Sequence, residues 1–135
     1  MLKVLPVQTK TEQEALCKMC NIVYRPELLM YAATYDGEFM GVCQFKTSDK
    51  GGLIYDIAKA EDKVHEDGSH TAKEFEALFV MGRGALNFID LCGVHNATYV
   101  GEATDDKLLR AIGFSKNESG EYSVDLNGFF TDHCH

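Results

Sequence analysis

Two groups of residues have types and spacings that could do chemistry. Cys17-Lys18-Met19-Cys20 is a CxxC pair, and His133, Cys134 and His135 lie at the far end of the chain. Together they could complete a tetrahedral zinc set of thiolates and imidazoles. The pair falls inside an expected helix with no strand leading into it, which disfavours thioredoxin-like redox chemistry. One helical turn and a tail is the simpler reading, so no metal site is expected. His65 and His70 flank Gly68 in a polar loop and could act as bases, because imidazole titrates near neutral pH. Solvated loop histidines are again the simpler reading.

Composition narrows the partners. The 135 residues suit one domain spanning 1–135, and 45% apolar with 25% charged residues describes an ordinary globular protein. A net charge of −8 argues against nucleic acid or an anionic membrane as partner, since both need basic patches. No window approaches the length of a membrane span, and MLKVLPVQTKTEQE lacks the apolar core of a signal peptide. A cytoplasmic protein with its five cysteines reduced is expected. Cys43 and Cys92 sit in apolar contexts and read as small core residues.

The elements that would position any site follow from periodicity. FEALFVMGRGALNFIDLCGV, residues 75–94, is the longest apolar-periodic run. It predicts a buried helix over 72–92, opened by a Thr71/Glu74 capping box and stopped at Gly93. Gly82 and Gly84 each cost a helix interior about 1 kcal/mol relative to Ala. Either they allow close packing, or MGRG is a loop and the helix starts near Gly84. Before this run come a strand at 2–7, a helix opened by Thr11 and Glu14 through about Asn21, and a short helix at PELLM. YAATY, a tight turn at Asp36-Gly37, and EFMGVCQFK form a hairpin, and LIYDIAKA at 53–60 adds a strand. After the long helix come a strand at 95–101, a helix within 105–114 and a final strand at 122–130. Tyrosines in the strands read mainly as sheet-packing residues. The order β-α-α-β-β-β-α-β-α-β describes an α/β domain, α+β in character, with a mixed and largely antiparallel sheet.

This order resembles the GNAT superfamily of acyl-CoA N-acyltransferases. YDGEFMGVCQF resembles the family's second and third strands. LNFIDLCGV resembles the end of its central helix, and LLRAIGF the segment closing its last helix. SGEYSVDLNGFF resembles the strand that follows. The resemblance covers nearly the whole chain and implies a GNAT-like fold. It also implies acetyl-CoA as cofactor and transfer of an acyl group to an amine, on a small molecule or a protein. A bulge in the fourth strand would open a cleft against the fifth, with the backbone of Ile57, Ala58 and Lys59 on the pantetheine and Tyr99 lining the cleft. The pyrophosphate would sit at the start of the central helix, at Ser69, His70, Thr71, Ala72 and Lys73, where helix N-termini favour anions. Lys63 and His65 could help there, against repulsion from Glu61, Asp62, Glu66 and Asp67. The family's glycine pattern is missing from this segment. The implied general bases are Asp56 and Glu102, with Tyr55 beside them. The family's frequent acid, a Tyr four residues before the Gly of "GF", is Leu109 here. A catalytically silent GNAT-fold protein that binds a ligand or partner is the alternative. An exposed edge near the C-terminus would allow a homodimer.

Overall fold

The computed structural model describes residues 1–102 and 105–130. Seven strands form one sheet: β1 (Leu2–Pro6), β2 (Leu29–Tyr35), β3 (Glu38–Ser48), β4 (Gly51–Lys59), β5 (Asn96–Tyr99), β6 (Ser115–Lys116) and β7 (Tyr122–Asp125). Three helices accompany them: α1 (Lys10–Met19), α2 (Ala72–Leu91) and α3 (Asp106–Ile112), with a single 3-10 turn at Glu61–Lys63. The strand order is β1-β2-β3-β4-β5-β7-β6. Neighbours are antiparallel except β4 and β5, which run parallel and are joined through α2.

α2 is helical for the reasons legible in its sequence. Thr71 caps it, with Thr71 Oγ1 accepting from the Glu74 N–H and the Glu74 carboxylate accepting from the Thr71 N–H. Ala77, Leu78, Met81, Ala85, Leu86 and Ile89 are buried at helical spacing against the sheet. Truncating Leu86 there would cost about 2–5 kcal/mol. The interior glycines serve close approach. A Cβ on Gly82 would lie 2.5 Å from Ile112 Cδ1, so Gly82 lets α3 pack onto α2, whereas Gly84 faces Tyr31 of β2. The long register holds, and MGRG is not a loop.

α1 covers the other face. Cys17 and Cys20 pack with Val7, Met30 and Val42 in a second, smaller core. Burial, reinforced by the nearby Asp56 charge, pushes the Cys17 thiol up to about 11. Burial first, then the Cys17 and Asp56 charges, push Cys20 to about 12. Both are inert core thiols in this state, and no group of three or more metal-ligating residues exists among the described residues. His133, Cys134 and His135 lie outside the described residues.

Several expectations are corrected. PELLM is not a helix: Leu28 closes a turn onto Arg25 O, and Leu29 and Met30 are drawn into β2 opposite Phe45 and Gln44. The order is therefore β-α-β-β-β-α-β-α-β-β. α1 is capped by Thr9 rather than Thr11, because Thr9 Oγ1 accepts from the Glu12 N–H. The last strand is a short hairpin, β6 with β7, turned at Asn117–Gly120. Cys92 is exposed at the end of α2 rather than in the core.

Candidate active site

The site begins with one extra residue in β4. Phe45 pairs with Ile54, but the next β3 residue, Gln44, pairs with Asp56, so Tyr55 has no partner and bulges. A one-residue slip reverses which face each side chain takes. Ile54 is buried with α2, and Tyr55 and Asp56 both line a cavity on the α1 side. Ile57 and Lys59 then return to the α2 side, and Ala58 packs toward α1. Without the bulge Asp56 would project into the apolar core beneath α2, at the desolvation cost of a buried carboxylate.

The same place is where β4 and β5 part. Their register ends at Ile54 opposite Tyr99, with the Val100 N–H donating to Ile54 O at 2.8 Å. Beyond it, β4 from Asp56 to Lys59 pairs only with β3, leaving its other edge open among the described residues. Gly101 makes the divergence fit, since a Cβ there would lie 2.2 Å from Tyr55 O and 3.0 Å from Tyr99 Oη. The gap opens on both faces. A cavity of about 150 Å³ lies on the α2–α3 side and one of about 550 Å³ on the α1 side. Ile57, Tyr99 and Glu102 line both and mark the throat where the strands part.

Charge is arranged around that throat. Gln44, fully buried, donates from Nε2 to Asp56 Oδ2 at 2.7 Å and to Val23 O at 3.0 Å, and its Oε1 accepts from the Arg25 N–H at 3.4 Å. Burial holds the Asp56 carboxyl above its ordinary range, with the Gln44 hydrogen bond and the Arg25 charge pulling the other way. A carboxylate so raised is a better proton acceptor. The Arg25 guanidinium lies 5.2 Å from the Tyr55 ring centroid. Tyr99 is held edge-on against Phe114 with its hydroxyl 3.4 Å from Glu102 O. Burial, then the Asp56 charge, push its phenol strongly upward, so it keeps its proton. Leu109 lines the α2–α3 side and carries no proton to give.

At the helix start the cations are largely committed to protein partners. Lys59 Nζ reaches Glu74 Oε1 and Ser69 O, both at 3.1 Å, in a pair whose side chains are 7% and 8% exposed. His65 Nε2 meets the same carboxylate at 3.0 Å. Burial works to raise the Glu74 carboxyl, but the Thr71 N–H, Lys59 and His65 outweigh it and hold the group down to about 2. Lys63 is tied to Glu38 at 2.6 Å. Lys73 lies over the Tyr35 ring at 4.8 Å. The Ala72 and Lys73 N–H groups are first-turn donors, which no helix satisfies internally. His70 Nε2 meets Asp105 Oδ2 at 2.5 Å, joining the loop before α2 to the N-cap of α3 across the smaller cavity. His70 Nδ1 is buried with no partner among the described residues.

The structure therefore gathers Tyr55, Asp56, Ile57, Ala58, Tyr99 and Glu102 around the larger cavity, and Lys59 and His70 around the smaller. Ser69, Thr71, Ala72 and Lys73 stay at the helix entrance, and Thr71 and Lys73 border a separate surface hollow with Tyr35. Sequence reading missed Gln44, Arg25 and Asp105. Gln44 left a signal, as the one polar residue inside the apolar run GVCQF. Arg25 and Asp105 left none.

A central helix behind a β4 bulge, and parallel strands that part beside it, make up the fold of the GNAT N-acetyltransferases. Solved structures agree. The ribosomal-protein-S18-alanine N-acetyltransferase from Escherichia coli superposes with a TM-score of 0.62 at 10% identity, over 93% of this chain and 94% of that one. The PaiA N-acetyltransferase from Thermoplasma acidophilum, solved in complex with coenzyme A, gives 0.63 at 9% identity, over 93% of this chain and 99% of that one. YhhK from E. coli, solved bound to coenzyme A, gives 0.58 at 14% identity, over 93% and 98%. No protein-family model matches the chain, and no curated protein matches its sequence. No helix among the described residues is long and apolar enough to cross a membrane.

Proposed function

We propose that the chain is an acyl-CoA-dependent N-acyltransferase, with acetyl-CoA as the simplest donor. The observation that carries this is the parting of β4 and β5, with a cavity on each face and Ile57, Tyr99 and Glu102 lining both. Two of the structural neighbours are described with coenzyme A. The residues present fit such a donor. The free edge of β4 at Ile57, Ala58 and Lys59 offers backbone groups to an extended amide chain, as an edge strand does to a peptide. The N–H groups at Ala72 and Lys73, donors that the helix leaves free, offer the anion site. Bound there, an acyl thioester would supply an electrophilic carbonyl and a thiolate leaving group.

The chain's own residues would do the rest. Asp56 accepts the proton of the incoming amine from the α1 side, at the oxygen not held by Gln44. Tyr99 holds a proton at Oη beside the throat, where it can be given to the departing sulfur, a role that Leu109 cannot fill. Glu102, at the same throat, is the second acceptor. The amine's proton thus leaves through Asp56 and the sulfur's arrives from Tyr99.

Calorimetric titration with acetyl-CoA tests the reading. Saturable binding, with free thiol released when an amine is added, is the expected result. No binding at millimolar acetyl-CoA overturns it. Binding without turnover over a broad amine panel would point instead to a catalytically silent ligand-binding protein.

A further inference from the structure

The α1-side cavity carries more than an amine site. Arg25 stands at its rim, and its guanidinium has no hydrogen bond or ion pair among the described residues. Arg25 is exposed, its backbone is anchored on Gln44, and its guanidinium rests against a single ring. Its backbone N–H donates to Gln44 Oε1, the preceding Val23 carbonyl accepts from Gln44 Nε2, and its guanidinium lies over the Tyr55 ring. Gln44 also holds Asp56. One buried amide therefore holds Asp56 and the backbone at Arg25 beside the same cavity, and the bulge puts Tyr55 and Asp56 on one face.

We infer that the acceptor is a free amino acid, its amine at Asp56 and its carboxylate on Arg25. This rests on the acyl-transfer reading. An unengaged, ring-supported guanidinium presents a planar fork of donors, which matches a carboxylate bidentately. Asp56 has one oxygen without a hydrogen bond among the described residues, available to an ammonium or amine. A polyamine would set its second cation against Arg25. A peptide N-terminus lacks the α-carboxylate of a free amino acid. Glu102 is the other acid on this cavity, and Arg25 is the sole cation among the lining residues. The cavity of about 550 Å³ has room for an amino-acid side chain.

The test compares the twenty common amino acids with, for each, the amine lacking only the α-carboxylate. With acetyl-CoA present, thiol release should favour at least one amino acid over its amine by about tenfold or more in kcat/KM, the scale of a charge-assisted bidentate pair. Arg25→Gln should raise KM for that amino acid by a similar factor and abolish its preference over the matching amine. Without acetyl-CoA, the same amino acid should shift the melting temperature of the wild type and not of Arg25→Gln. Equal use of both panels, or an Arg25→Gln enzyme with unaltered KM, overturns the proposal while leaving acyl transfer intact. Arg25-dependent amino-acid binding in a protein that fails to bind acetyl-CoA supports this site and overturns the acyl-transfer reading. Neither binding nor turnover of any amino acid overturns the site itself.

Discussion

Asp56 and Gln44 face each other across β3 and β4, Oδ2 and Nε2 2.7 Å apart, because Tyr55 adds one residue between Asp56 and Ile54. The contact fixes the carboxylate without neutralising it. A carboxylate whose folded pKa is raised opposes folding once ionised. Its contribution is fully favourable below the ordinary value of 3.8 and is lost as pH rises through the folded value.

Asp56→Asn should therefore do two opposite things. At neutral pH it removes a partly desolvated charge while its amide oxygen still accepts from Gln44, so the melting temperature should rise. Turnover should fall about a hundredfold or more, the scale of a lost general base. Thermal melts and thiol-release rates on the same preparation check both. A variant that is less stable and equally active would remove Asp56 from the proposed role.

Tyr99→Phe isolates the phenol. The ring, packed on Phe114, is kept, and the hydroxyl makes only a long contact to Glu102 O. Stability should change by less than about 1 kcal/mol, the net value of one ordinary hydrogen bond. kcat should fall about a hundredfold, with the loss smallest for acyl donors whose thiolate leaves most readily. A uniform loss across donors would argue against proton donation.

Glu74 ties the α2 entrance together. Its depressed pKa contributes stability that is complete above 4.5 and is lost as pH falls toward about 2. Glu74→Gln should destabilise the fold by about 3–5 kcal/mol, because it leaves Lys59 buried without its counter-charge. The variant should also show a shallower decline in stability across that acid window, with Asp67 and Asp106 supplying the remainder. Urea melts from pH 2 to pH 7 would show both.

The His70–Asp105 contact joins the β4–α2 loop to α3 over the smaller cavity. His70→Ala should loosen this junction while leaving the α2 cap intact. Amide hydrogen exchange in residues 65–71 should speed up by at least about tenfold, and exchange in Leu78–Ile89 should not change. Uniform acceleration would mean that His70 supports the whole core.

The sequence carried the fold where the determinants are local. The Thr71/Glu74 box and the apolar stripe specify α2. Asp36-Gly37 specifies the hairpin, where both residues take positive φ, 50° and 84°. What was hidden depends on pairing between distant segments. LIYDIAKA reads the same with or without a bulge, because the extra residue is defined only against Gln44 in another strand. Arg25 gains its place from that same glutamine. PELLM had the composition of a helix, but pairing of Leu29 and Met30 with β3 outweighs the propensity of five residues.

In the proposed reaction, a cavity on each face of the strand gap bears on the order of events. Among the described residues no thiol lines either cavity to carry an acyl group between half-reactions: Cys17, Cys20 and Cys43 are buried in the cores and Cys92 is exposed at the end of α2. Donor and acceptor would have to be present together, each entering by its own door. Initial-velocity plots against the two substrates should then give intersecting lines rather than the parallel ones of a ping-pong enzyme.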